Sequence, residues 1–286
     1  MIDFPDLVIN LILQRLDFRS IFTLRKVCKD LRNFIDVSNL DLHLNTIEID
    51  TTPNKQNKKT ISLVLASAGK LYRIFYQEHK HGCLVSYMGK RTLLENLDYC
   101  RVFCEEIGYI LKRQNTMINS FVLRNPTQEF SEVLESLKSL KVRRFQVAAE
   151  ECQIFKTLAL ISLSDLKSLQ LIFAKPTEIS MDQLELVLKL RNLEEFRTEN
   201  LTIIGSITKL AHFSIAEVTM FTVTVEELVF LKETFLRSPN FNYFVVKYKH
   251  FAEEGISDLQ LRILENRKLL LEFGRPYKVD LHGGKK

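Results

Sequence analysis

A strand-like pattern of large apolar residues recurs along the second half of the chain and limits the possible folds more than any other feature. At each recurrence two such residues, or in one case an apolar residue and a Thr, stand two positions apart, as in a strand that buries every second side chain. The first two separations are 24 residues each, and the later ones are 27, 17 and 31 residues. The six triplets are Phe121-Val122-Leu123, Phe145-Gln146-Val147, Leu169-Gln170-Leu171, Phe196-Arg197-Thr198, Phe213-Ser214-Ile215 and Phe244-Val245-Val246.

Helix-like stretches lie between these strands. A strand plus a helix in each unit of roughly 20 to 30 residues is typical of a leucine-rich-repeat-like solenoid, in which every unit buries its apolar side against its neighbours. We therefore predict an α/β fold with a degenerate solenoid over residues 114–280. A single α/β layer, with helices on one side of a sheet, is the alternative. The stretches are Phe130, Val133, Leu134 and Leu137; Ile154, Leu158 and Ile161; Leu184, Val187, Leu188 and Leu190; and Leu228, Leu231 and Phe235.

A different pattern occupies residues 43–113. Short runs rich in β-branched or aromatic residues, separated by polar or Gly-containing breaks, predict strands there. Val102, Phe103, Ile107 and Ile110 then return to helical spacing, so a helix is expected between Leu97 and Leu111. The strand runs are Ile47–Ile49, Ile61–Leu65, Leu71–Tyr76 and Leu84–Tyr87.

The first 42 residues predict a separate helical module. Pro5 lacks an N–H and suits a first helical turn, and Asp6 places negative charge where the helix dipole favours it. The helix that follows has one apolar side and is expected to end near Asp17. A second amphipathic stretch follows the break at residues 17–20. The apolar residues are Leu7, Val8, Leu11, Ile12 and Leu16 in the first helix, and Ile21, Leu24, Cys28, Leu31 and Ile35 in the second.

Two helices in about 35 residues bury too little apolar area to be stable alone, so their apolar surface needs a partner surface. Phe4-Pro5, Leu16-Asp17, and Leu24 followed by Val27-Cys28-Lys29 resemble the signature of an F-box. The resemblance implies that this module docks onto a Skp-family adaptor and, through it, onto a cullin. The implied adaptor-binding residues are Phe4, Pro5, Leu7, Val8, Leu11, Ile12, Leu16, Leu24, Val27, Cys28 and Leu31. Many F-boxes carry a Trp after the Val-Cys step, whereas this chain has no Trp.

The order of F-box, short strands, helix and repeated strands resembles the nematode-type F-box proteins with a C-terminal FTH domain. That resemblance implies a substrate-recognition subunit of an SCF-type cullin-RING ubiquitin ligase, with an unknown protein substrate. The alternative is a repeat scaffold whose F-box does not bind the adaptor. In leucine-rich-repeat receptors, the residues between two core-facing positions point to the opposite, usually concave side. The candidate substrate contacts are therefore Gln146, Gln170, Arg197 and Ser214.

Composition places the chain among ordinary globular proteins. It has 286 residues, of which 46% are hydrophobic and 26% charged, and no apolar run reaches the length of a membrane span. The net charge is +5 and the basic residues are scattered along the chain, so no nucleic-acid partner is expected. The Lys-containing stretch Thr51–Thr60 is predicted to be a solvated loop. Five Cys residues without a tight framework suggest reduced thiols. We expect a soluble protein of the cytoplasm, the nucleus or both, without a membrane partner.

The sequence gives little evidence for a catalytic or metal-binding site. The 9 Gly residues form no phosphate-binding loop, and the 6 His residues fit no nucleophilic triad by spacing. His79, His81 and Cys83 lack a fourth zinc ligand at a useful distance, so a hairpin turn is predicted there. Cys100 and Cys104 are expected to be buried small hydrophobic residues. We therefore predict a non-enzymatic protein without metal or cofactor; an enzyme whose site is assembled from distant residues is a third hypothesis.

Overall fold

The computed structural model describes two compact units, residues 1–166 and residues 167–286. The predicted domains, 1–42, 43–113 and 114–280, divide the chain differently, and their boundaries stay predictions. The residues whose structure is described are 5–25, 27–38, 40–53, 59–136, 139–190, 192–252 and 268–273.

The first unit places helices around a mixed sheet. Its helices are α1 (Asp6–Gln14), α2 (Phe18–Leu24), α3 (Lys29–Val37), α4 (Tyr99–Lys112), α5 (Gln128–Glu135) and α6 (Glu151–Leu158). Its strands are β1 (Thr46–Asp50), β2 (Thr60–Ser67), β3 (Lys70–His79), β4 (Gly82–Tyr87), β5 (Lys90–Glu95), β6 (Ile118–Arg124) and β7 (Val142–Ala149).

Strand order in this sheet is β7-β6-β1-β2-β3-β4-β5. The strands β1 to β5 pair antiparallel, while β6 pairs parallel with both β1 and β7. Alternating apolar residues form continuous buried rows on one face, because paired positions share a side of the sheet. One such row runs through Phe145, Phe121, Ile47, Leu65 and Tyr72. The central helix α4 packs against β2, β3 and β4.

The N-terminal module differs from its prediction in the number of its helices. Three helices form where two were expected, because the chain breaks at Val27 and Cys28 in the middle of the predicted second helix. Cys28 adopts an extended backbone, and its Sγ accepts a hydrogen bond from the N–H of Leu31 at 3.4 Å. This contact caps α3, since it satisfies an N–H that has no partner within the helix. Asp17 caps α2 in the same way through Ser20 N.

The strands predicted between residues 47 and 87 are confirmed as parts of β1 to β4, and the predicted helix is confirmed as α4. The predicted hairpin at residues 79–83 is also confirmed, because His79 pairs with Gly82 across the turn between β3 and β4. The strand β5 was not predicted. Five of its six residues are exposed, so no buried alternation marks it in the sequence. Lys55 and Lys58 of the predicted loop lie outside the described residues.

In the second unit, parallel strands alternate with helical segments. The strands are β8 (Ser168–Ser180), β9 (Glu195–Ile204), β10 (Ile215–Val223), β11 (Tyr243–Phe251) and β12 (Lys268–Phe273). They pair in chain order, and every pair is parallel. The described segments between them are α7 (Glu185–Leu188), a 3-10 turn (Ile207–Leu210) and α8 (Val225–Arg237), which begins with a capping box between Thr224 and Glu227.

The predicted mixed α/β class is confirmed, with the strand and helix alternation that the repeats indicated. One register was wrong. Phe213 and Ser214 precede β10, whose buried positions are Ala216, Val218, Met220 and Val223. Phe213 is buried, but it belongs to the segment that precedes the strand. Its burial made the sequence pattern predict a strand start at Phe213, two residues before the actual start at Ile215. No helix within the described ranges is long and apolar enough to cross a membrane.

Candidate protein-binding surface

The first helix carries apolar residues on two sides, only one of which packs inward. Ile9 and Leu13 are buried, with Leu13 only 1% exposed. The opposite side presents four large apolar residues to solvent, among which Leu7 is 71% and Leu11 52% exposed. We call these four residues the outer row of α1: Leu7, Val8, Leu11 and Ile12. Four adjacent exposed aliphatic side chains on a nine-residue helix form an apolar patch of the kind that marks an interaction surface.

The other predicted adaptor-binding residues are less uniform. Val27 is 65% exposed in the link between α2 and α3, and Pro5 is exposed at the start of α1. Four residues are half-buried: Leu16, Leu24, Cys28 and Leu31. Phe4 lies outside the described residues. The predicted set therefore contains an exposed part, on α1 and at Val27, and a half-buried part in the remainder of the helical module.

Aromatic contacts attach α2 to the remainder of the first unit. The Phe18 ring lies 5.7 Å from the Tyr72 ring of β3, and the Phe22 ring lies 5.4 Å from the Tyr109 ring of α4, both edge to face. Ile21 of α2 and Ile35 of α3 are also buried. The helices are thus seated by their inward side chains, which leaves the outer row of α1 free of this packing.

A cluster of charged side chains reinforces the attachment. The Arg25 guanidinium donates two hydrogen bonds to the Asp36 carboxylate, at 2.7 and 2.9 Å. Arg113 of α4 donates to the Asp36 carbonyl oxygen at 2.6 Å. Both guanidinium groups lie over the Tyr109 ring, that of Arg25 at 4.5 Å and that of Arg113 at 3.8 Å from the ring centroid. The Arg25 guanidinium holds the pKa of Asp36 below its usual value, and so the ion pair persists in mildly acidic solution.

A second ion pair joins the helical module to the sheet. Lys70 Nζ lies 2.5 Å from the Asp17 carboxylate, which also accepts a hydrogen bond from Ser20 N. These bonds, that of Lys70 first, hold the pKa of Asp17 well below its usual range. The same carboxylate therefore caps α2 and ties the helix start to β3.

The four candidate substrate contacts are distributed over the two units. Gln146 is half-buried on β7 in the first unit. In the second unit Gln170 of β8 and Arg197 of β9 are neighbours in register, and both are half-buried. Ser214 lies just before β10, where its N–H donates to the Glu194 carbonyl oxygen.

Arg197 belongs to a polar group that the sequence did not reveal. Its guanidinium pairs with Glu195 at 2.6 Å and with Glu217 of β10 at 3.2 Å, while Tyr243 of β11 donates its hydroxyl to Glu217 at 2.5 Å. Burial, followed by this hydrogen bond, raises the pKa of Tyr243 to about 12. The strand alternation marks each of these residues as outward-facing, but only the register between strands brings them together.

The cysteine and histidine residues show no arrangement for metal binding within the described ranges, where no group of three His, Cys, Asp or Glu side chains is close enough to hold an ion. The five Cys residues all lie in those ranges and all are free thiols. Cys100 and Cys104 are buried on α4, as predicted, and burial raises the pKa of Cys104 to about 12.

Comparison with known families assigns two parts of the chain. The model of the F-box domain matches residues 1–43, and the model of the FTH domain matches residues 124–259. Neither a curated protein nor a solved structure matches the chain. The F-box match covers α1 to α3, which include the outer row of α1. An F-box supports a role as an SCF adaptor subunit or a protein-interaction protein, and both domains are typical of proteins without catalytic activity.

Proposed function

This chain is an F-box protein with a C-terminal FTH domain, and from that premise we propose that it is the substrate-recognition subunit of an SCF-type ubiquitin ligase. In this function the F-box helices bind a Skp-family adaptor and, through it, a cullin. The FTH region binds a target protein. The chain then acts by position, because it raises the effective concentration of the target near the subunits that transfer ubiquitin.

The outer row of α1 is the observation that carries the proposal. It is exposed although it belongs to a helix whose inward residues already pack on the chain's own core. Full burial of one Leu or Ile side chain contributes about 1.5–3 kcal/mol, so an adaptor that covers this row gains a large share of its binding free energy there. Val27, exposed at the link between α2 and α3, extends the candidate interface.

A binding measurement with a purified Skp-family adaptor tests this interface. Leu11→Asp places a charge in the middle of the outer row and should weaken binding by about a hundredfold or more, because the carboxylate would lose its hydration on complex formation. The paired change of Leu16 and Val27 to Ala should abolish co-purification. Val229→Asp on α8 is the matched control, because Val229 is 49% exposed but lies outside the F-box. Equal binding by the Leu11→Asp and Val229→Asp chains would refute the proposal.

We also propose that the strand and helix units form a degenerate leucine-rich-repeat-like solenoid that presents the target site. The parallel pairing of consecutive strands β8 to β12 supports this arrangement. The target would contact outward positions, with Gln146, Gln170, Arg197 and Ser214 as candidates. Gln170→Arg adds charge and bulk at a half-buried outward position without altering the core, so targets found by mass spectrometry with the intact chain should be lost with this variant.

The proposed role places the chain in the cytoplasm, the nucleus or both, and leaves all catalysis to other subunits. One sequence feature favours a second candidate, a repeat scaffold with an F-box that does not bind the adaptor: the chain has no Trp. The adaptor titration separates the two candidates, because under the second one the unmodified chain would not bind at all.

A further inference from the structure

The strand β5 ends the sheet of the first unit and leaves one edge open. It pairs with β4 on one side, and no described strand pairs with its other side. Most of its residues are exposed. An edge of this kind presents a row of backbone N–H and C=O groups that an added strand can bind.

The turn that begins β5 determines which of its residues bond to β4. Met88 and Gly89, both with positive φ (48° and 77°), form a two-residue turn that Tyr87 and Lys90 close. The pair that closes such a turn exchanges both of its backbone hydrogen bonds. Bonded and non-bonded pairs then alternate along an antiparallel ladder. The even-numbered residues of β5 therefore bond to β4.

The other end of the hairpin follows the same alternation. Asn96, the even-numbered residue directly after β5, donates its N–H to the His81 carbonyl oxygen at 2.9 Å. The odd-numbered residues Arg91, Leu93 and Glu95 therefore direct their N–H and C=O groups away from β4. Three residues thus offer backbone donors and acceptors to a strand that adds at the open edge of β5.

The side chains of these three residues share the outward face of the sheet, because side chains alternate along a strand. They place a basic group at one end, an apolar group in the middle and an acidic group at the other end. Arg91 and Glu95 are exposed, and neither forms an ion pair within the described part of the chain. Leu93 is 36% exposed. Read backwards, this pattern is its own complement in charge.

A second copy of β5 can therefore pair with the first in antiparallel orientation. The two strands are then related by a two-fold axis perpendicular to the sheet, so each position opposes a position on the same face. With Leu93 opposite Leu93 of the second copy, Arg91 of each chain lies opposite Glu95 of the other. Every residue that faces the open edge then exchanges backbone hydrogen bonds with its opposite.

Other antiparallel registers are less favourable. A centre at Thr92 or Leu94 places a charged residue opposite Leu93 and leaves one edge-facing residue of each chain without an opposite. A centre at Arg91 or Glu95 brings two like charges together, which destabilises a strand pair. Charges on an edge strand usually oppose association. Here they favour one register, because opposite signs meet at both ends.

The inward face adds no repulsion in the favoured register. Thr92 lies opposite Leu94 of the second copy, and Lys90 lies opposite Asn96. A single pair of short strands buries less surface than the about 1,200–2,000 Å² of a stable interface. The association is therefore expected to be weak, reversible and dependent on concentration.

We propose that two copies of this chain associate through the open edge of β5, with Arg91 of each copy paired to Glu95 of the other. This surface goes beyond the proposed function, because it uses neither the outer row of α1 nor Val27. It needs no foreign partner, since each copy supplies both charges at the required spacing.

Charge reversal tests the pairing by analytical ultracentrifugation of the full-length chain over about a hundredfold range of concentration. Arg91→Glu and Glu95→Arg should each weaken the dimer by about tenfold or more, because like charges then meet at both ends. An equimolar mixture of the two variants should associate again, because an acidic strand then meets a basic one. Arg101→Glu on α4 is the matched control, since its side chain is 75% exposed, and it should not change the dimer.

A disulfide tests the register. Opposed Cα atoms in a hydrogen-bonded antiparallel pair lie about 5.5 Å apart, a distance that a disulfide can bridge. Leu93→Cys should therefore form a covalent dimer under mild oxidation. The experiment uses a Cys152→Ser chain, because Cys152 is an exposed thiol. Leu71→Cys, an exposed position on β3, should not form one.

The proposal is overturned if the unmodified chain stays monomeric over the whole concentration range. It is also overturned if both charge-reversed chains, shown to be folded by thermal unfolding, associate as strongly as the unmodified chain, or if their mixture does not restore the dimer. Both variants should still bind the Skp-family adaptor, so a failure here is distinguishable from a failure of the proposed function.

Discussion

Arg25, the residue that follows α2, holds Asp36 of α3 through two hydrogen bonds, at 2.7 and 2.9 Å, and thereby links the two helices that follow α1. Bidentate pairing of this kind resists rotation as well as separation. The side chains of both residues are about one-third exposed, so solvent weakens the ion pair but does not remove it.

Removal of the Asp36 charge should destabilise the first unit. Asp36→Asn should lower the free energy of unfolding by about 1–2 kcal/mol, because the Arg25 guanidinium loses its charged partner. Urea denaturation measures this change. Glu78→Gln breaks the more exposed pair with Lys59, whose Nζ lies 3.4 Å from the carboxylate, and should change the stability by less than about 0.5 kcal/mol. Equal losses in the two variants would contradict this role of Asp36.

The same ion pair predicts a pH dependence. The folded pKa of Asp36 lies below its unfolded value, so its contribution to stability is present above the unfolded pKa and is lost as the pH falls through the folded pKa. The unfolding free energy of the unmodified chain should therefore fall more steeply below about pH 4 than that of Asp36→Asn. Parallel curves for the two chains would show that Asp36 contributes nothing to acid sensitivity.

Opposite sides of α1 should respond differently to truncation. Leu13→Ala leaves a cavity at a side chain that is 1% exposed, and it should cost about 2–4 kcal/mol. Leu11→Ala removes an exposed side chain and should cost less than about 0.5 kcal/mol. Thermal and chemical unfolding measure both. A large loss for Leu11→Ala would mean that the outer row packs within the chain.

Tyr243 should titrate at an unusually high pH. Its pKa of about 12 follows from burial and from the hydrogen bond to Glu217. Because this folded pKa is raised, the stabilising contribution of the neutral hydroxyl is complete below pH 10 and is lost as the pH rises toward 12. Difference absorbance against Tyr243→Phe measures the titration. Glu217→Gln should lower the pKa, and an unchanged value would argue against the hydrogen bond.

Sequence patterns predicted the mixed α/β class and most strands because buried alternation is visible along a single segment. The patterns gave a wrong or missing strand where the strand residues are exposed, or where a buried residue belongs to a neighbouring segment. The exposed strand β5 has no alternation of buried residues, and Phe213 is buried although it precedes β10. The break at Cys28 was missed because apolar spacing continues across it from Leu24 to Leu31, although Leu24 belongs to α2 and Leu31 to α3.

The exposed side of α1 could not be identified from the sequence alone. Apolar residues surround much of α1, so spacing could not by itself decide which side faces the core. The polar group around Arg197 was not predicted as a group, because Glu217 and Tyr243 meet it only through strand register. The sequence of one strand shows which of its residues face outward. Which residues of other strands lie beside them depends on strand pairing and register.

Photocrosslinking to a purified Skp-family adaptor tests the central claim most directly. A benzophenone amino acid replaces Leu11 in one chain and Val229 in another, two positions of similar exposure. We predict a covalent product with the adaptor from position 11 and none from position 229. Absence of a product from position 11, while an unmodified chain still binds the adaptor, would contradict the assignment of the outer row of α1 as the docking surface.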